Sequence, residues 1–151
     1  MAVAEVQAVV ALPRASVFAA LSDLARRPAL DPTMLAIEEA ATPLAADDPA
    51  SAPVFRGRTV ITGSESDFEG SVTARDEPSL LALGLRLANG ARVLESWRLS
   101  ETASGTLVRY RAELRLPGGL IGGLLDRLFV GGGFRRQRAA ALARIKAALE
   151  A

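Results

Sequence analysis

Two side chains carry the proton chemistry that this sequence offers an interior. Glu95 stands between Val93 and Trp97 at alternating positions, and Tyr110 stands between Val108 and Ala112. Alternate residues of a strand share a face, so each polar group falls within an apolar row. A carboxylate in such a row is predicted to have its pKa raised by desolvation, as a general acid or base requires. The simpler alternative places Glu95 near a cavity mouth, paired with one of the many arginines or reached by water. Trp97 and Tyr110 are either core aromatics with a satisfied polar tip or contacts to a ligand. Thr59 is the remaining polar group of the predicted inward face, where a local backbone hydrogen bond would explain it.

The missing residue types exclude more than the present ones suggest. The chain has 151 residues with neither cysteine nor histidine. Disulfides, thiolate nucleophiles, imidazole bases, Ser-His-Asp triads and sulfur- or imidazole-ligated metals are therefore ruled out. Any acid or base comes from Asp, Glu, Tyr110 or Lys146, the sole tyrosine and the sole lysine. No run has the spacing of a calcium loop, and no metal or other cofactor is expected. Hydrophobic residues make up 50% and charged residues 23%, which is the composition of a globular chain. A net charge of +1 predicts no nucleic-acid partner. Glu5 and Gln7 interrupt the apolar start, so no signal peptide is read there. No apolar run approaches the roughly 20 residues of a membrane span, and no stable insertion is expected. A cytoplasmic monomer or homodimer, built as a single domain over 1–151, is the predicted form.

Periodicity supplies the elements that must hold these groups. Residues 3–12 alternate, with Ala4, Val6, Ala8, Val10 and Leu12 on one face. Pro13 suits a first helical turn, and Val17, Phe18, Leu21 and Leu24 follow at helical spacing. Pro28 and Pro32 bound a second short helix or turn, and 33–40 gives a weaker strand signal. Residues 40–54, rich in Ala and Pro, read as a long loop, either disordered or a functional lid.

From 55 to 116 the pattern is strand after strand. A four-residue turn at 102–105 pairs Trp97 with Tyr110 and Leu99 with Val108. A three-residue loop of Ala88, Asn89 and a left-handed Gly90 pairs Leu85 with Val93 and Leu81 with Trp97. The reflex two-residue Asn-Gly hairpin mixes the faces and is rejected. A turn at 76–79 sets Val72 opposite Leu83 and Phe68 opposite Leu87. One at 63–66 turns Phe55, Gly57, Thr59 and Ile61 inward. Gly57, Gly70 and Gly84 fall within strands, where they mark bends and close approach. After residue 117 the pattern is helical to the end. Gly131, Gly132 and Gly133 interrupt it at a cost of about 1 kcal/mol each, so a break or kink is predicted there. The glycine-rich stretch 118–133 reads first as close packing, second as a hinge or gate, third as a membrane-surface helix. Arg135, Arg136, Arg138, Arg144 and Lys146 make the last helix basic, which reads as a solvated outer face or, less simply, a site for a phosphate-bearing ligand.

Three stretches carry a resemblance: residues 13–18 (PRASVF) running into 21–23 (LSD), 95–99 (ESWRL) followed by 105–106 (GT), and 142–146 (LARIK) running to 150. They frame nearly the whole chain. With this element order the sequence resembles the START-like superfamily (SRPBCC proteins), in particular its bacterial polyketide cyclase/dehydrase-like branch. These are landmarks of a fold, not a catalytic signature. The sequence departs from the pattern at Leu30, where members commonly carry tryptophan. The resemblance implies an α+β helix-grip fold: a curved antiparallel sheet wrapped around a long C-terminal helix, with two short helices after the first strand. It also implies a cavity between sheet and helix for a hydrophobic small molecule such as a lipid, quinone, isoprenoid or polyketide.

Within that frame the predicted ligand wall is Thr59, Phe68, Val72, Leu83, Leu85, Val93, Trp97, Leu124 and Leu128. Holding a hydrophobic molecule without chemistry is the leading expectation. A polyketide cyclase or dehydratase using Glu95 and Tyr110 for acid–base work is the alternative, and a protein-interaction module with a collapsed cavity is the third.

Overall fold

The computed structural model describes residues 1–40, 54–117 and 131–151. Among these, seven strands form one antiparallel sheet in the order β1-β7-β6-β5-β4-β3-β2. The strands are β1 (Ala2–Val10), β2 (Met34–Ala40), β3 (Val54–Ile61), β4 (Ser64–Asp76), β5 (Leu80–Leu87), β6 (Arg92–Thr102) and β7 (Gly105–Arg115). Helix α1 (Arg14–Ser22), a 3-10 turn (Leu24–Arg26) and the one-turn α2 (Arg27–Leu30) join β1 to β2. Helix α3 (Gly131–Glu150) closes the chain. Of the predicted long loop at 40–54, the end residues Ala40 and Val54 belong to strands; its residues 41–53 and the start of the predicted C-terminal helix, with Leu124 and Leu128, lie outside the described residues.

Alternation dictates the sheet, and the registers follow it. Trp97 pairs with Tyr110, Leu99 with Val108, Leu85 with Val93 and Leu81 with Trp97. The β5–β6 loop is the three-residue one, with Gly90 at φ 88° and Leu87 N–H donating to Ala91 O at 2.8 Å. Two turns differ from the sequence-based expectation. Ile61 pairs with Ser64, so the β3–β4 hairpin turns at Thr62 and Gly63, both at positive φ, rather than across 63–66. That moves the register by an even number of residues, and Phe55, Thr59 and Ile61 still face inward and are buried. The β4–β5 connection is one residue shorter than predicted, because Asp76 pairs with Leu80. A register shift between Val72 and Ala74 compensates, and Val72 meets Leu83 as predicted.

The N-terminal segment is also trimmed. β1 ends at Val10, and Pro13 caps α1 from an extended conformation, its carbonyl accepting from Ser16 and Val17 N–H. Val17, Phe18, Leu21 and Leu24 all enter the core, as their spacing requires.

Helix α3 lies across the inward face, against β1 at one side and over the β3–β4 turn at the other. Gln137 ties it to that turn. Its amide nitrogen donates to Val60 O at 2.9 Å, and its oxygen accepts from Thr62 N–H at 3.1 Å. The three glycines are helical where α3 as described begins, and the segment before them, across which a break would show, lies outside the described residues. A Cβ at Gly132 would meet nothing within 4 Å, so close packing does not explain that glycine. Gly70 is different. A Cβ there would lie 2.4 Å from the Phe55 ring, which occupies the space a side chain would take.

Candidate functional site

The interior of the sheet is apolar except where β6, β7, α3 and the α2–β2 junction converge. Glu95 on β6 is 2% exposed, Tyr110 on β7 is 2% exposed, and Arg138 on α3 is 1% exposed. Arg138 Nη1 donates to Glu95 Oε1 at 2.9 Å, to the Tyr110 hydroxyl at 2.9 Å and to Thr33 Oγ1 at 3.1 Å. One guanidinium nitrogen has two hydrogens, so three acceptors share them. Tyr110 donates its own proton to Glu95 Oε1 at 3.0 Å. The hydroxyl therefore accepts from a cation and donates to an anion.

A second pair extends the cluster. Asp31 Oδ1 accepts from Thr33 N–H at 2.9 Å and from Thr33 Oγ1 at 2.7 Å, a turn typical of an Asp two residues ahead. Thr59 Oγ1 donates to Thr33 O at 2.7 Å, which fastens β3 to the start of β2 rather than bonding locally. Arg27 is fully buried, donates to Leu21 O at 2.9 Å and lies 3.9 Å from Asp31 Oδ2. Its guanidinium sits 4.9 Å over the Trp97 ring, and Trp97 stacks on Tyr110 at 3.8 Å and 9°. Guanidinium, indole and phenol thus form three layers, the first bound to the second by cation–π attraction.

Two buried cations face two buried carboxylates, so the cluster is formally neutral. Burial pushes the Tyr110 pKa well above its ordinary value. The Arg138 charge opposes that and the Glu95 charge adds to it. The phenol is protonated at neutral pH, and as a reactive group it is a proton donor, not a base. Burial acts to lower the Arg138 pKa, but the facing Tyr110 and Glu95 reverse it and raise it overall.

Sequence reasoning placed Glu95, Trp97, Tyr110 and Thr59 on the inward face, where the structure has them. Phe68, Leu83, Leu85 and Val93 are buried on the same face and Val72 is partly buried. It did not find Arg138, which was read with the solvated basic face of the last helix. The signal was present: Phe134, Arg138, Ala141, Leu142 and Ile145 recur at helical spacing, and all are buried. Arg27 and Asp31 were missed because a one-turn helix has no periodicity to read. Glu95 also sits deeper than a cavity mouth, since Arg138 reaches it from the far side of the interior.

Not every polar atom here has a partner. Among the buried side-chain atoms of the described residues, Trp97 Nε1, Arg138 Nε and Nη2, and Arg27 Nε and Nη2 make no hydrogen bond. Glu95 Oε2 is the acceptor in the same condition. Buried polar groups are overwhelmingly paired, so a cluster of such atoms calls for an explanation.

Comparison with known proteins agrees with this architecture. No curated protein matches the sequence. Among solved structures, the chain is similar to TTHA0849 from Thermus thermophilus, with a TM-score of 0.76 and 16% identity over 97% of this chain and 96% of that one. A START superfamily protein from Mycobacterium smegmatis aligns with a TM-score of 0.65 and 16% identity, covering 98% and 94%. The di-domain aromatase/cyclase BexL from the BE-7585A biosynthetic pathway aligns with a TM-score of 0.66 and 14% identity, covering 98% of this chain and 48% of that one. At these identities the likeness establishes the helix-grip fold and nothing finer. Sequence comparison goes further. Residues 1–150 match the family described as polyketide cyclase / dehydrase and lipid transport, and the chain belongs to that family.

Proposed function

We propose that the protein holds an apolar small molecule bearing acceptor oxygens between the sheet and α3, with its oxygens directed at the unpartnered N–H groups of Arg138 and Trp97 beside Glu95 and Tyr110. The walls in this reading are Phe68, Val72, Leu83, Leu85, Val93 and Trp97. One observation carries it. The inward face is aliphatic, yet the atoms left without partners at its polar point are N–H donors, save Glu95 Oε2. A donor-rich point in an apolar interior suits carbonyl or enol oxygens of a quinone or polyketide better than a plain hydrocarbon.

The Tyr110-to-Glu95 hydrogen bond supports a second reading, in which the site also catalyses cyclisation or dehydration. Tyr110 would protonate the departing substrate oxygen, the Glu95 carboxylate would take the proton lost from the neighbouring carbon, and passing that proton from Glu95 to the Tyr110 phenolate would restore both groups. The cavity would hold the chain in the reactive shape.

Calorimetric titration with menadione and with 2-methylnaphthalene tests the first reading, since the two differ only by the quinone oxygens. Menadione is expected to bind about tenfold or more tightly, the scale of one hydrogen bond to a charged group. The difference should vanish in the doubly substituted Glu95→Leu/Arg138→Met chain. Equal binding of both would remove the polar anchor, and binding of neither would remove the ligand-holding reading. Turnover of a linear poly-β-ketone, lost in Tyr110→Phe with binding retained, is the result the second reading requires.

A further inference from the structure

A second site lies outside the interior, where α3 passes the free edge of β1. The groove there encloses about 770 Å³. Its apolar surface comes chiefly from Val6, Ala8, Ala139 and Leu142, and its charged lining is mostly basic, with Gln7 and Ser96 as neutral polar neighbours. Arg98 and Arg109 line it from the sheet, and Arg135 and Lys146 line it from α3. The acid in the groove is Glu5, which is bound to Arg111, and Lys146 is bound to Glu150. Among the described residues Arg98, Arg109 and Arg135 join no ion pair.

The placement of two of these cations is costly without a ligand. Arg98 and Arg109 are cross-strand partners, directly opposite on β6 and β7. Like charges in that position destabilise a sheet. An anion held between the two guanidinium forks reverses the effect. A phosphate suits this better than a carboxylate, because it has more oxygens for several forks and more than one negative charge. A groove of 770 Å³ is far larger than the ion and falls in the range of small-molecule sites, roughly 300–1,000 Å³. Its apolar surface leaves room for a tail. We propose that the β1–α3 groove binds an organic phosphate with an apolar portion, the phosphate on Arg98 and Arg109 and the tail along Ala8, Ala139 and Leu142. The basic stripe of α3 then has a role at Arg135 that a solvated face does not give it. Tyr110 also borders the groove, but its hydroxyl is bound to Glu95 in the interior. The groove therefore does not depend on the function proposed for that interior.

Calorimetry with geranyl diphosphate, geraniol and inorganic pyrophosphate at fixed ionic strength tests the proposal. Geranyl diphosphate is expected to bind more tightly than either fragment. The Arg98→Gln/Arg109→Gln chain should lose about tenfold or more of that affinity, with its denaturation midpoint no lower than the parent's. The Glu95→Leu/Arg138→Met chain should keep it, which separates this site from the interior one. Unchanged affinity in the arginine double variant would overturn the proposal, as would pyrophosphate binding as tightly as geranyl diphosphate. Sedimentation with phosphatidic acid vesicles decides the source. Vesicle binding through Arg98 and Arg109 without binding of soluble geranyl diphosphate would make the patch a membrane-docking surface and overturn the small-molecule site.

Discussion

The two faces of the β6–β7 ribbon use the same residue types to opposite ends. On the inward face Glu95 and Tyr110 meet a single arginine and are closed off from solvent. On the outward face of the same two strands, Arg98, Arg109 and Arg111 are exposed. Arg111 bonds Glu5 and Glu113 there, and Arg98 faces Arg109. A single step along a strand thus separates charges that hold the fold from charges that screen into water. Desolvation is the reason: a buried charge cannot lose its partner and turn to solvent, whereas an exposed one can.

Removing one inward charge gives the largest effect. Arg138→Met is expected to cost about 3–5 kcal/mol in urea unfolding, because it strands Glu95. Adding Glu95→Leu should recover most of that loss, since apolar residues of similar volume replace buried pairs at little cost. A double variant no more stable than Arg138→Met would show that the pair does more than satisfy itself. Tyr110→Phe removes two hydrogen bonds, one donated to Glu95 and one accepted from Arg138, and leaves those partners short, for about 1–3 kcal/mol.

The same hydroxyl predicts a pH effect on the alkaline side. Its folded pKa is raised, so the unfolded chain releases the proton first, above the ordinary phenol value of about 10. Stability is therefore complete below that pH and falls as pH rises beyond it. Absorbance at 295 nm reads this directly, because Tyr110 is the sole tyrosine. No phenolate should form in the folded protein at pH 10.5, while the denatured chain should be largely ionised. The Tyr110→Phe chain should lose this part of the alkaline decline.

The outward face should respond weakly. Arg111→Ala is expected to leave the unfolding midpoint nearly unchanged, with any difference shrinking in high salt. Arg109→Gln should stabilise slightly, by about 0.2–1 kcal/mol, because it removes the like charge opposite Arg98. A loss of several kcal/mol at either position would erase the distinction between the faces.

Much of this was legible beforehand because strand faces follow parity. Even the misplaced β3–β4 turn left Thr59 and Phe55 inward, since the register error was even. Hairpin length was harder to read at β4–β5, where a bulge near Thr73 absorbs the difference.

By itself the sequence determined the alternation of the strands, the inward set that includes Glu95, Trp97 and Tyr110, and the exclusion of histidine and thiol chemistry. These are local properties, carried by spacing and residue type. The tertiary structure decided which cation meets Glu95 and Tyr110. Arg138 is 43 residues from Glu95 and 28 from Tyr110 along the chain, and only the crossing of α3 over the sheet brings them together. It likewise decided that Arg27 lies over Trp97 and that Arg135 shares a groove with Arg98 and Arg109. Periodicity assigns a residue to a face, but the partner across that face depends on how two distant elements pack.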